Sequence, residues 1–564
     1  MKKLFISFLF LLPCIAPQAQ TSSLLRFQQD QLDFGTVLVG EKDSVQLFFE
    51  NNLGDLVRVE SLKFYSILDE KPFFANFDSL TLNPGEKDSI WVYFQPEQNI
   101  LHNSELILRY SFYFPLASTS GRIQISSINL RGQGRFPLTY YDTTENLHEE
   151  DLKKALKYRL GLGYRQKSYN EARDSMFMKI DNKKENGQAA TVNTIEGVYT
   201  GFNKSNYSSR SNAQTTNPKF NTEHTFPQGF FNSSLPERSD LHHLFPTTNN
   251  ANSQRGNKPF GELTNGTAVT LGGGSFFNNT TFEPRDEQKG RTARAMMYFV
   301  LRYRDFSNHF SAQENTLKKW HKDFPPDSIE ERRNRDIFKV QSNRNPFVDY
   351  PQLEKRISNF VSSSSAPVIW GLDVLQSSID FIRGYSGKPD TLNFVMVNTG
   401  NQDIIFSNFS LSDTINFSFT SSSGLKDTLL PGNAIKIGII VNLASNTVFS
   451  LSEQLTFNTN MPASRSSFTV PVLINPVLSG LDPNKTGEPI QVFPNPFDDQ
   501  IFINTNASQD LTIRIYNSQG RVVLRQNLSK GTQNSVLNTE GFPKGFYFLE
   551  IRNENKGWVK KLVK

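Results

Sequence analysis

From residue 25 to about 135, apolar and polar side chains alternate with a period of two. Val45, Leu47 and Phe49 share one face, as do Ile90, Val92 and Phe94, then Leu106, Leu108, Tyr110 and Phe112. Alternation of this kind, broken by turn signals such as Asn83-Pro84-Gly85, predicts an antiparallel β-sandwich. Residues 366–478 repeat the pattern. Leu32-Asp33-Phe34 matches Ile379-Asp380-Phe381, Leu82-Asn83-Pro84-Gly85 matches Leu429-Leu430-Pro431-Gly432, and Phe and Pro are 50 residues apart in both copies. An equal spacing points to an internal duplication.

Between the two copies the period changes. Leu152, Leu156 and Leu160, with Ala155, fall on one face of a helix that Gly161 to Gly163 could end. Residues 183–222 are rich in Asn, Ser, Gly and Gln and predict loop with short strands, one of them Val198-Tyr199-Thr200. Helical spacing returns over 291–303 and again over 330–339, where Arg332, Arg333, Arg335 and Lys339 cluster. Residues 479–490 form a linker, after which Ile501 and Ile503, Ile513 and Ile515, and Tyr547, Leu549 and Ile551 alternate in a short β domain.

The chain of 564 residues is too long for one core. Its net charge is only +5, but residues 141–360 alone carry about +6, so the excess suits a polyanionic partner of the middle region. Met1-Lys2-Lys3, the apolar run Leu4 to Leu12 and the small Ala19 have the layout of a secretory signal peptide cut near Ala19 or Gln20. The one cysteine, Cys14, lies inside that leader, so the processed chain is expected to rely on packed cores and not on disulfides. No later run is long enough for a stable transmembrane segment.

The chemistry concentrates in three stretches. They are Glu223-His224-Thr225-Phe226-Pro227-Gln228, Arg238-Ser239-Asp240-Leu241-His242-His243-Leu244-Phe245-Pro246, and Asn252-Ser253-Gln254-Arg255-Gly256-Asn257. A hard divalent cation takes oxygen ligands and keeps several waters; Glu223 offers a carboxylate and Asn252 an amide oxygen. His224, with an ordinary pKa of about 6.5, suits a general base near neutral pH. Adjacent residues of a regular strand face opposite ways, so one site for Glu223 and His224 requires a strand end or bend, which Pro227 supports. Glu223 and Asn252 are 29 residues apart, room for a hairpin and a short helix. Arg255 and Arg238 could clamp a phosphate or form ion pairs. His242 and His243 could back the metal site or structure their own loop. Arg332, Arg333, Arg335 and Arg344 could contact phosphates or line a solvated face.

These stretches, with Lys258-Pro259-Phe260-Gly261-Glu262, Phe282-Glu283-Pro284, Ala293-Arg294-Ala295 and Gln341-Ser342-Asn343-Arg344-Asn345-Pro346-Phe347, resemble the endonuclease I family of periplasmic and secreted nucleases with a ββα-metal (His-Me finger) site. The resemblance implies that Glu223 and Asn252 hold Mg²⁺, Mn²⁺ or Ca²⁺ and that His224 activates water. It also implies cleavage of DNA, and of RNA in many members, with little sequence preference and 5′-phosphate products. The two sandwiches resemble immunoglobulin-like domains of the ASPM/SPD-2/Hydin type. Phe493-Pro494-Asn495-Pro496-Phe497, Ile515-Tyr516-Asn517, Gly545-Phe546-Tyr547 and Lys560-Lys561-Leu562-Val563-Lys564 resemble the type A sorting domain of the type IX secretion system. That implies export by a Gram-negative bacterium.

The sequence thus predicts a multidomain chain. A signal peptide (1–20) precedes an Ig-like β-sandwich (21–137), a central α+β nuclease domain of the ββα-metal kind (138–362) and a second sandwich (363–478). A linker (479–490) and a small C-terminal β domain for sorting (491–564) follow. The expected function is that of a secreted or cell-surface, metal-dependent endonuclease, a monomer whose partners are DNA, RNA and the secretion machinery. The competing expectation is a surface adhesin or matrix-binding protein whose nuclease domain is inactive or secondary.

Overall fold

The computed structural model describes residues 25–52, 56–66, 71–113, 122–263, 268–303, 307–381, 390–420, 428–442, 451–474, 491–494, 497–504, 509–517, 521–532, 534–553 and 557–564. The expected signal peptide, Cys14 and the 479–490 linker lie outside the described residues.

The N-terminal module is a sandwich. One sheet runs in the order Leu25–Phe27, Asp43–Asn51, Lys87–Phe94, Phe73–Ala75; the other runs Gln31–Leu38, Arg122–Arg135, Leu101–Tyr113, Leu56–Ser66, Leu80–Leu82. Residues 372–474 repeat it strand for strand, with sheets Leu372–Val374, Asp390–Asn398, Ala434–Val441, Phe417–Phe419 and Ile379–Phe381, Ser467–Ile474, Leu451–Thr459, Ile404–Leu411, Thr428–Leu429. The equivalence reaches single hydrogen bonds. Asn51 Nδ2 donates to the Leu82 carbonyl at 3.0 Å and Asn398 Nδ2 to that of Leu429 at 2.9 Å. The matching turns place Gly85 and Gly432 at φ of 76° and 77°, a left-handed conformation that glycine adopts without steric cost.

The modules also make contacts beyond their own cores. Tyr65, Ile107 and Ile125 of the first pack against Val395 and Val397 of the second. The first also docks on the central region, where Arg356 donates to Asn99 Oδ1 at 2.9 Å and to the Thr144 carbonyl at 3.0 Å. The C-terminal domain is a three-stranded and a four-stranded sheet over a core that includes Ile501, Ile513, Ile515, Leu549 and Ile551.

The central region is built on helices α1 (Glu149–Gly161), α2 (Tyr169–Ser175), α3 (Asn249–Arg255), α4 (Asp286–Arg302), α5 (Glu314–Asp323) and α6 (Ser328–Gln341). Strand β1 (Phe220–His224) pairs antiparallel with β2 (Leu244–Thr248). Leu152, Leu156 and Leu160 are buried on one face of α1, as their spacing predicts. Helix α4 begins a turn and a half before the sequence-based start. It is buried all round, with Met296, Met297, Phe299 and Val300 in the main core, the condition of a helix at the centre of a domain. The strand predicted at Val198-Tyr199-Thr200 is a turn; the strand lies at Thr194–Glu196. The β-branched and aromatic residues suggested extension, but Gly197 accepts from Thr200 and Gly201 backbone N–H groups and closes a turn that buries Tyr199.

Candidate active site

The site is a hairpin followed by a helix. Strand β1 ends at His224, and Thr225 N–H still bonds the His243 carbonyl at 2.9 Å. Phe226 then stacks flat on Phe299 of α4, with ring centroids 4.4 Å apart. Burying a phenylalanine in this way stabilises by roughly 1.5–3 kcal/mol, which anchors the turn that presents His224. Strand β2 tolerates Pro246 because a two-stranded sheet has only edges. Helix α3 starts directly after β2, where the Thr248 hydroxyl accepts from Ala251 N–H at 3.3 Å as its N-terminal cap.

Glu223 and His224 are both buried, with disjoint neighbours. The Glu223 Oε1 atom accepts from the Tyr199 hydroxyl at 2.9 Å and lies 3.1 Å from Arg255 Nε. The Nε–H is not aimed at Oε1, so this is an ion pair and not a directed hydrogen bond. Burial raises the Glu223 carboxyl to about 7, against the lowering influence of Arg255 and the Tyr199 hydroxyl. Asn252 is half-buried on α3, three residues before Arg255 and so one turn away on the face directed at β1. Its carboxamide has no hydrogen-bond partner among the described residues.

The His224 Nε2 atom sits 3.2 Å from the Arg238 carbonyl. A carbonyl only accepts, so Nε2 carries the proton and Nδ1 keeps its lone pair. The ring lies 5.6 Å from that of Tyr169 and 5.5 Å from that of His243. Burial first, then His243, Arg238 and Arg173, hold its pKa down to about 3. The ordinary value of 6.5 expected from sequence therefore does not apply: in a cationic, dry setting the imidazole stays neutral.

The arginines divide. Arg255 does not fit the expected role of phosphate clamp. Its guanidinium is 1% exposed and donates to the carbonyls of Thr225 at 2.6 Å and Gly256 at 2.7 Å besides pairing with Glu223. It ties the end of α3 to the strand end beside His224. Arg255→Lys removes the planar fork that reaches these three acceptors; the variant should lose about 2–4 kcal/mol of unfolding free energy in urea, and parental stability would contradict this role. Arg333 and Arg344 are likewise internal: Arg333 pairs with Asp181 at 2.8 Å and donates to the Leu244 carbonyl at 2.6 Å, and Arg344 pairs with Asp349. Arg238 is half-buried, with its guanidinium over Tyr169 at 4.3 Å, and stays available beside His224.

The two adjacent histidines hold the loop. His242 Nε2 bonds the Asn343 carbonyl at 3.1 Å and His243 Nε2 that of Glu237 at 2.6 Å. Only His243 touches His224. Between them and Arg238 lies Asp240, fully buried, which accepts from Tyr298 and Tyr303 hydroxyls at 2.8 and 2.6 Å, from Gln341 Nε2 at 2.7 Å, and from Arg302. Burial opposes its ionisation, but Arg302 and the hydrogen bonds keep it ionised. Sequence reasoning missed Asp240 as this anchor, Tyr199 as the partner of Glu223, and Tyr169 and Arg173 altogether. The i, i+4 spacing of Tyr169 and Arg173 on a helix capped by Ser168 was the available signal.

Among the described residues no group of three or more His, Cys, Asp or Glu side chains converges to hold a metal. Glu223 fits the role of a cation ligand, since among the described residues its contacts all fall on Oε1, and the neutral Asn252 side chain lies on the adjoining helix.

Residues 145–352 match the family model for Endonuclease I, residues 491–564 that for the Secretion system C-terminal sorting domain, and residues 23–118 that for a HYDIN/CFA65/VesB-like, Ig-like domain. The chain is thus a multidomain protein that carries an endonuclease I domain between an Ig-like domain and a sorting domain. It is 29% identical over 232 residues to an extracellular ribonuclease of Bacillus subtilis, across 38% of this chain and 76% of the relative. It is 33% identical over 115 residues to an extracellular deoxyribonuclease of Aeromonas hydrophila, across 20% of this chain and 49% of the relative. Among solved structures, it is similar to the ASH / PapD-like domain of human CEP192, at 16% identity over 24% of this chain and all of that one, with a TM-score of 0.18.

Proposed function

We propose that the protein is an exported, divalent-metal-dependent endonuclease that hydrolyses phosphodiester bonds of DNA and RNA through a ββα-metal site. The observation that carries this reading is the order of parts inside the stretch matched to Endonuclease I: strand β1 ending in Glu223-His224, strand β2, then α3 bearing Asn252. The sorting-domain match and the extracellular relatives support delivery outside the cell or to its surface. No described helix is long and apolar enough to cross a membrane.

Glu223 and Asn252 would hold a Mg²⁺-type ion, whose charge offsets the negative charge that builds on the phosphate and leaving oxygen. Arg255 and the Tyr199 hydroxyl orient Glu223 from Oε1 and leave its other oxygen uncommitted. His224 takes the proton of the attacking water at Nδ1, because its Nε2–H is committed to the Arg238 carbonyl. The charge of a bound phosphodiester offsets the arginine field and raises the basicity of the imidazole as substrate arrives. Asp240 and His243 set the height and tilt of the loop that supplies this carbonyl.

The test is incubation of the purified protein with supercoiled plasmid and with RNA, with Mg²⁺, Mn²⁺ or Ca²⁺ and with EDTA. Nicking and linearisation with metal, abolished by EDTA, are expected. Intact DNA and RNA under all metal conditions would overturn the reading, and cleavage unaffected by EDTA would overturn its metal dependence.

A further inference from the structure

Beside His224 stands a cationic group whose own ligand the hydrolytic steps above leave unassigned. The guanidinium carbons of Arg173 and Arg238 lie 4.1 and 4.3 Å from the Tyr169 ring centroid, and that ring is 5.6 Å from the His224 ring. Among the described residues Arg173 donates to Asn170 Oδ1 alone, at 2.6 Å, and the Arg238 side chain makes no hydrogen bond or ion pair. The Nε atoms of both are buried without a partner. No carboxylate pairs with either among the described residues. Neighbouring arginines are paired: Arg210 with Asp174 at 2.7 Å, Arg255 with Glu223 at 3.1 Å, Arg333 with Asp181 at 2.8 Å. The Arg173 pKa is lowered by burial and by Arg210 and Arg238, with Tyr169 and Asp174 opposing. Two uncompensated guanidiniums on one tyrosine are unfavourable in isolation and become favourable when an anion bridges them.

We infer that Arg173 and Arg238 together grip a backbone phosphate of the substrate strand on the His224 side of the site, with Tyr169 as the positioning residue that spaces them. This rests on the reading of the protein as a nuclease and adds a phosphate-binding subsite to it. The ligand class is a phosphodiester of either nucleic acid, since guanidiniums address phosphate oxygens and not the 2′-hydroxyl.

The experiment measures binding of a fluorescent DNA duplex to the His224→Ala protein across a salt series, and steady-state cleavage by variants with His224 intact. Arg173→Gln should weaken duplex binding by about tenfold or more and flatten the slope of log affinity against log salt by roughly 0.9 for the lost phosphate contact. In cleavage, KM should rise by a larger factor than kcat falls. Tyr169→Phe should keep the parental slope and KM, whereas Tyr169→Ala should behave like Arg173→Gln, and urea melts of each variant separate this from unfolding. A folded Arg173→Gln protein with the parental salt slope and KM would overturn the subsite while leaving the nuclease reading intact. A parent protein that neither binds nor cleaves nucleic acid would overturn both.

Discussion

His224→Ala should lower the rate of plasmid cleavage by about 10²–10⁴-fold, the usual contribution of a positioned general base, while divalent-metal binding stays near the parental level. Glu223→Gln should lose both, because it removes the one carboxylate offered to the cation and leaves Arg255 buried without a counter-charge. The contrast follows from the disjoint surroundings of the two residues: Tyr199 and Arg255 around Glu223, and Tyr169, Arg238 and His243 around His224. Single-turnover cleavage and calorimetric metal titration of the two variants check it. Parental turnover by His224→Ala would remove His224 as the base.

Lowering the pH from 7 to 4 should strip the central region of most of its stability. Burial holds His242, His243, His309 and His321 at about 4 and His224 at about 3. In the unfolded chain each returns to about 6.5. The folded values are depressed, so the contribution is fully present above 6.5 and is lost as the pH falls toward 4, where the unfolded chain takes up protons that the folded chain refuses. Each histidine is worth on the order of 1–3 kcal/mol at the acid end; Glu223, raised to about 7, takes up its proton more readily when folded and offsets about one of the five, and the rest rival the roughly 5–15 kcal/mol that holds a domain folded. Urea melts followed by the fluorescence of the buried Trp320 between pH 7 and pH 4 give the slope. A stability unchanged between pH 7 and pH 5 would contradict this account.

Local sequence carried much of the architecture. Period-two alternation with Asn-Pro-Gly punctuation was enough for both sandwiches, because a strand with one buried face must alternate. The duplication followed from equal spacing and is repeated in the structure down to Asn51 and Asn398. The leucine row of α1 was equally direct. At the candidate site, the acid, the imidazole and the amide were singled out by their chemistry together with the family resemblance, and the chain length between them left room for the hairpin and short helix that the structure has there.

What the residue order could not supply was the environment of each charge. Arg255, Arg238 and Arg333 are equivalent as letters. Only packing makes Arg255 an internal brace, Arg333 a tie between Asp181 and β2, and Arg238 a half-buried cation beside His224. The His224 pKa moved from the ordinary value to about 3 for the same reason, since burial and charges brought from α2 and the loop after β1 act through space. Tyr169 and Arg173 lie more than fifty residues before His224, and no local pattern joins them to it. By itself, then, the sequence determined the modules, the strand and helix periods and the chemical kinds at the site. The tertiary structure decided which charges are neutralised internally and which stay unpaired, because an ion pair depends on distance and dielectric, and both are properties of the folded chain.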